Sequence, residues 1–130
     1  GGSYGVQTSV KIASFPEGQT ILQTYFDTDP AKGAQMNAIV HNELKRISET
    51  GPRVEDFNKT KENMLKKHAE ALQENSYWLN TLDTYYDKKR DDHTTYESTL
   101  KAITPAGIQA LAKTLLKQGN TVEVVMEPAK

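Results

Sequence analysis

From Pro52 to about Lys89 the apolar residues recur at helical spacing, a run of roughly 38 residues. Phe57, Met64, Leu65, Leu72, Trp78, Leu79, Leu82, Tyr85 and Tyr86 fall on one stripe. At 1.5 Å per residue an unbroken helix of this length would run about 57 Å. A compact chain of 130 residues has a radius of gyration of about 14 Å and a diameter of about 36 Å. The helix must therefore break or project from the body. Asn75-Ser76 is the expected joint, because both side chains compete for backbone hydrogen bonds.

The residues before this run predict a hairpin. Tyr4, Val6, Thr8, Val10 and Ile12 alternate with Gly5, Gln7, Ser9, Lys11 and Ala13, the period of two of a half-buried strand. Phe15-Pro16-Glu17-Gly18 supplies turn chemistry, and 20–26 is rich in β-branched and aromatic residues, which predicts the more buried partner strand. Asp29-Pro30 then announces a helix: the carboxylate can cap free N–H groups, and proline sits where its missing N–H is harmless. Met36, Ile39, Val40, Leu44 and Ile47 follow at helical spacing. Gly51 is the stop, with Pro52 opening the next helix.

After the charged connector 88–92, Tyr96, Leu100 and Ile103 predict a further turn or two of helix. Thr104-Pro105 caps a last helix that stops at Gly119, and 121–127 alternates as a final strand. Strands at both ends with helices between them mean an α+β fold: an antiparallel sheet with helices packed on one face, in the order β-β-α-α-α-β. Residues 1–130 have the length of a single domain. The chain opens Gly1-Gly2-Ser3-Tyr4 without an initiator Met or a basic-then-apolar signal segment, so it is expected to be a piece of something longer.

Charge is balanced, with 16 Lys and Arg against 17 Asp and Glu. That gives no electrostatic reason to seek nucleic acid or anionic lipid. Mean hydropathy is −0.68, and no stretch approaches the roughly 18 apolar residues of a membrane span. There is no cysteine, which removes disulfides and thiolate metal sites from consideration.

Residues that could carry chemistry are few. His41, His68 and His93 are too far apart in sequence for a zinc motif, which needs two imidazoles one helical turn apart with a carboxylate nearby. They are expected at the surface or on helix flanks. No serine lies in a G-x-S-x-G elbow, and no glycine-rich phosphate loop follows a strand. Lys59, Lys61, Lys66 and Lys67 are interleaved with Glu55, Asp56, Glu62 and Glu70, the pattern of a solvated helix face.

Within the long helical run Leu65, Leu72, Leu79 and Tyr86 recur every seventh position, beside a second row of Phe57, Met64, Ala71, Trp78 and Tyr85. A coiled-coil seam would place Lys61, His68 and Asn75 at its a-type positions, so packing of the stripe on the domain's own sheet is favoured. The aromatic cluster Tyr77, Trp78, Tyr85 and Tyr86 is core or interface material on the same grounds.

Three stretches in order, Gly2-Ser3-Tyr4-Gly5-Val6, Asp27-Thr28-Asp29-Pro30 and Glu74-Asn75-Ser76-Tyr77-Trp78-Leu79, resemble the pitrilysin and insulinase type of zinc metallopeptidase, the inverted-zincin family. The ending Leu116-Lys117-Gln118-Gly119-Asn120-Thr121-Val122-Glu123-Val124-Val125-Met126 is similar to the C-terminus of large bacterial members. The resemblance covers essentially the whole chain. It implies a partial metallopeptidase-type domain, related to the ferredoxin-like fold, from the C-terminal portion of the substrate-clamping half. In such proteins one half carries the H-x-x-E-H zinc site, and another carries an arginine and a tyrosine that reach across to the substrate. Tyr4 matches that tyrosine. The matching arginine would lie before Gly1, and the zinc motif is absent from the sequence.

The resemblance thus implies peptide-substrate binding through Tyr4, no catalytic residue and no metal ligand in this chain, and zinc held in another domain of the parent. Alone, the chain is expected neither to bind zinc tightly nor to cleave peptides. Its expected partners are the remainder of the parent, a peptide substrate and, through an exposed sheet edge, a second copy of itself. A bacterial periplasmic or cell-envelope location fits the family. The alternatives are a non-enzymatic helical interaction module and a piece of a catalytically dead homologue.

Overall fold

The alternation of the first residues becomes a hairpin. In the computed structural model, which describes residues 5–13 and 16–126, strand β1 (Gly5–Ala13) pairs antiparallel with β2 (Gln19–Asp27). The register sets Val6 opposite Phe26, Thr8 opposite Thr24, Val10 opposite Leu22 and Ile12 opposite Thr20. Side chains on paired residues share a face, so the even-numbered positions make one apolar face of the ribbon. Across it the Thr8 and Thr24 hydroxyls hydrogen-bond at 3.3 Å. No residue of β1 is buried, and Val10 remains 58% exposed.

The helix start at Asp29-Pro30 forms as the sequence predicts. The Asp29 carboxylate accepts from the Ala31 N–H at 2.9 Å, and Pro30–Lys32 makes a 3₁₀ turn leading into α1 (Gly33–Thr50). Gly51 ends that helix with φ of +79°, a left-handed conformation that glycine adopts without steric cost. A Cβ there would lie 3.9 Å from both Gln109 Cβ and the Pro105 carbonyl.

Helices α2 (Val54–Ala71) and α3 (Asn75–Lys88) replace the single long helix. The break falls at 72–74 rather than at the expected joint Asn75-Ser76, which instead forms the first turn of α3, and it is closed by bonds from Gln73 N–H to Glu70 O and from Glu74 N–H to Ala71 O. The Trp78 indole N–H donates back to Leu72 O at 2.9 Å, tying the first turn of α3 to the end of α2. Helix α3 ends on Lys89 in the left-handed region, with φ of 52°. Two more helices follow, α4 (Tyr96–Ala102) and α5 (Pro105–Gln118), the latter opened by Thr104 Oγ1 accepting from the Gly107 N–H.

The final strand expected over 121–127 is a correction. Residues 121–126 carry no strand, and the sheet has two strands among the described residues. Alternating Val and Glu give this segment the capacity to be a strand, but a strand exists only where an edge pairs with it. The class remains α+β, with strands followed by helices.

The chain divides into two compact units, Gly1–Arg46 with Gly119–Lys130, and Ile47–Gln118. The first holds the hairpin and most of α1. In the second, the buried residues are Ser48, Gly51, His68, Leu100 and Ala112. Gln109 Nε2 donates to Glu49 O at 2.7 Å, joining α5 to the last turn of α1. Lys61 Nζ donates to Lys101 O at 2.7 Å and to Ile103 O at 3.0 Å, so a lysine on α2 satisfies carbonyls that the end of α4 leaves open. No helix is long and apolar enough to cross a membrane among the described residues.

Candidate functional site

Tyr4, the one residue the sequence nominates for substrate binding, lies outside the described residues. It immediately precedes Gly5, which opens β1 opposite Asp27. The histidines divide. His41 sits on α1 in the first unit, 47% exposed and 3.9 Å from the Glu123 carboxylate. His68 and His93 are brought together in the second unit, with ring centroids 6.2 Å apart.

His68, on the flank of α2, is only 7% exposed rather than at the surface. It faces α4, where its ring stacks on Tyr96 with centroids 4.1 Å apart and planes inclined at 22°. Tyr77 meets it edge-on at 5.6 Å. The sequence offered a signal: His68 stands between Leu65 and Leu72 on the apolar stripe of α2. Its packing partner was not legible, because Tyr96 lies beyond a helix and a connector.

His93 is held from three sides. The Tyr77 hydroxyl is hydrogen-bonded to its Nδ1 at 2.8 Å. Trp78 packs against the ring with centroids 4.9 Å apart. Its backbone is fixed by Asp91, whose Oδ1 accepts from the N–H groups of His93 at 3.1 Å and Thr94 at 2.9 Å. The aromatic cluster read from the sequence therefore splits: Tyr77 and Trp78 support His93, while Tyr85 and Tyr86 contact one another edge-on at 5.4 Å.

Beside these rings is an open cleft of about 570 Å³, lined by His68, His93, Thr94, Glu97, Ser98 and Lys101. Lys101 donates to Glu97 Oε2 at 2.8 Å and holds that carboxyl below its ordinary range, with His68 contributing in the same direction. Among the described residues, no three His, Asp or Glu side chains converge as a set ready for a metal ion.

The Asp91 carboxyl is also held below its ordinary range, first by the Thr94 backbone N–H and then by the Thr94 side chain. A depressed folded-state value means that the turn is stabilised above the unfolded carboxyl value of about 3.9, and that this is lost as pH falls through the folded value. An NMR titration of the Thr94 amide should therefore show a midpoint below about 3.9. A midpoint at or above it would contradict the hydrogen-bonding assignment.

The heptad row does not form one seam. Leu65 on α2 and Leu72 at its C-cap are half-buried, whereas Leu79 on α3 is 70% exposed and Tyr86 is 67% exposed. The a-type positions that made a dimer seam unattractive have intrachain roles, Lys61 on the carbonyls of α4 and His68 against Tyr96. Comparison of the chain with protein-family models, curated proteins and solved structures finds no match.

Proposed function

We propose that this chain is the C-terminal portion of the substrate-clamping half of a pitrilysin-type zinc peptidase. It helps to close a peptide-binding chamber while zinc-activated water, held in another domain, does the hydrolysis. The observation that carries this reading is a sheet with two strands among the described residues, beginning directly after Tyr4. A two-stranded ribbon is marginal in water unless further strands or a helix cover its apolar face, and Val6, Val10, Ile12 and Leu22 are all exposed. Surface area supports the same conclusion. The chain exposes 10753 Å², whereas two separate compact bodies of the sizes of its two units would expose about 8,200 Å². The remainder of the parent supplies the missing cover.

In this reading Tyr4 donates a hydrogen bond to the substrate carbonyl as it becomes an oxyanion, where a positioned donor acts most strongly. The arginine that accompanies it belongs to the segment before Gly1. The interaction-module alternative loses ground because the α2 part of its seam is engaged by α4 within the chain. The zinc-loaded parent should cleave an unfolded peptide and lose that activity when residues 1–130 are deleted, while the chain alone with added zinc cleaves nothing. Undiminished cleavage by the deleted parent would overturn the proposal.

Unpaired strand edges also recruit partners, and the 20–26 stretch of β2 has no charge and no proline. Separated from its parent, the chain is expected to self-associate through this edge. Light scattering checks this: a monodisperse monomer at high concentration contradicts it.

A further inference from the structure

We infer that α3 docks antiparallel on the α3 of a second copy of this chain, through a face that the fold turns outward. This concerns the second unit alone and stands independently of the peptidase reading. Trp78, Leu79, Leu82, Tyr85 and Tyr86 fall within an arc of about 120° on a helix of 3.6 residues per turn, and all are between 41% and 70% exposed. The opposite face carries Tyr77, Thr81 and Thr84, and these are the half-buried residues. Two of their hydroxyls find partners within the unit: that of Tyr77 is hydrogen-bonded to His93 Nδ1, and that of Thr81 donates to Tyr77 O. A surface helix ordinarily buries its apolar stripe and leaves the polar one in water. Helix α3 does the reverse, and a contiguous apolar patch of this kind marks an interaction site.

Self-complementarity names the occupant. A two-fold axis at Leu82 sets that residue against its own counterpart, Trp78 against Tyr86 of the second copy, and Leu79 against Tyr85, so apolar side chains meet along the whole face. In this register Glu74, at the start of α3, lies within about 3 Å along the helix axis of the second copy's Lys88, on the same flank. Both side chains are exposed, and neither has an ion-pair partner among the described residues. The axis generates the pair twice, and each helix sets its negative end beside the positive end of the other. Asp83 approaches its own counterpart only at the edge of the face, where solvent and salt screen the two charges.

Area sets the strength. With both copies counted the face buries roughly 1,000 Å², the weak end of specific contacts. Trp78, Tyr85 and Tyr86 are of the types that dominate the energy of such contacts. The chain is accordingly monomeric at the low concentrations of a thermal melt and dimeric as concentration rises toward millimolar.

Trp78 is the sole tryptophan of the chain, so its fluorescence reports this face directly. Sedimentation equilibrium and tryptophan emission of the intact chain, followed from micromolar to millimolar, should show a monomer–dimer equilibrium and a blue shift with a common midpoint. Leu82→Asp should weaken the dimer by more than about tenfold while leaving the circular dichroism unchanged. Glu74→Lys should weaken it several-fold, and adding Lys88→Glu should restore it, which a simple loss of helix stability would not do. Self-association that leaves the Trp78 emission unmoved belongs to the β2 edge and overturns the inference. So does a chain that stays monomeric, or a Leu82→Asp variant that dimerises like the wild type. The wild-type emission decides the matter even where a variant fails to fold.

Discussion

Tyr4→Phe, introduced into the zinc-loaded parent, is expected to lower kcat by about 10²–10³ while leaving KM within a few-fold. That is the loss seen when one oxyanion donor is removed from an otherwise intact site. The substitution deletes only the phenolic hydroxyl, and β1 begins one residue later, at Gly5. The split between kcat and KM identifies a bond made chiefly in the transition state, whereas a structural role for Tyr4 would disturb both. An unchanged kcat would remove Tyr4 from the chemistry.

Leu100→Ala should have the largest effect on stability. Leu100 lies on α4 and is 5% exposed, the largest apolar side chain among the buried residues of its unit. Truncating such a residue costs about 2–5 kcal/mol. In a unit of this size that lowers Tm by roughly 10 °C or more. Leu79→Ser, by contrast, should stay within about 0.5 kcal/mol in the chain alone, because Leu79 is 70% exposed. Paired thermal melts check both. Equal destabilisation by the two substitutions would mean that α3 packs more deeply than its exposure indicates.

The Leu79 contrast marks where the sequence stopped being sufficient. Periodicity identified the stripe correctly, but a stripe says only which face seeks cover, not what covers it. On α2 the cover is α4 of the same chain, through His68 on Tyr96 and Lys61 on the Lys101 and Ile103 carbonyls. On α3, Leu79 and Tyr86 remain in solvent. Features set by local chemistry were legible. The alternation of β1, the hairpin turn to β2, the Asp29-Pro30 start, the stop at Gly51, the break of the long helical run within three residues of the expected joint and the end of α5 before Gly119 each depend on residues close to one another in the chain.

Features requiring a distant partner were not. Residues 121–126 have the composition of a strand, but no described edge pairs with them. His68 and His93 come together across the break at 72–74, the whole of α3 and the connector that Asp91 fixes. Neither the spacing of the histidines nor their immediate neighbours encodes that meeting. Of the two expected locations, surface or helix flank, His68 takes the flank of α2 and is buried there against Tyr96.

The central proposal is that this chain comes from the substrate-clamping half of a zinc peptidase. The most direct test is to read the coding frame upstream of the Gly1 codon in the source genome. The account predicts an open frame with an arginine codon shortly before Tyr4 and an H-x-x-E-H motif far upstream. A start codon immediately before Gly1, or a long frame with neither the arginine nor the histidines, would contradict it.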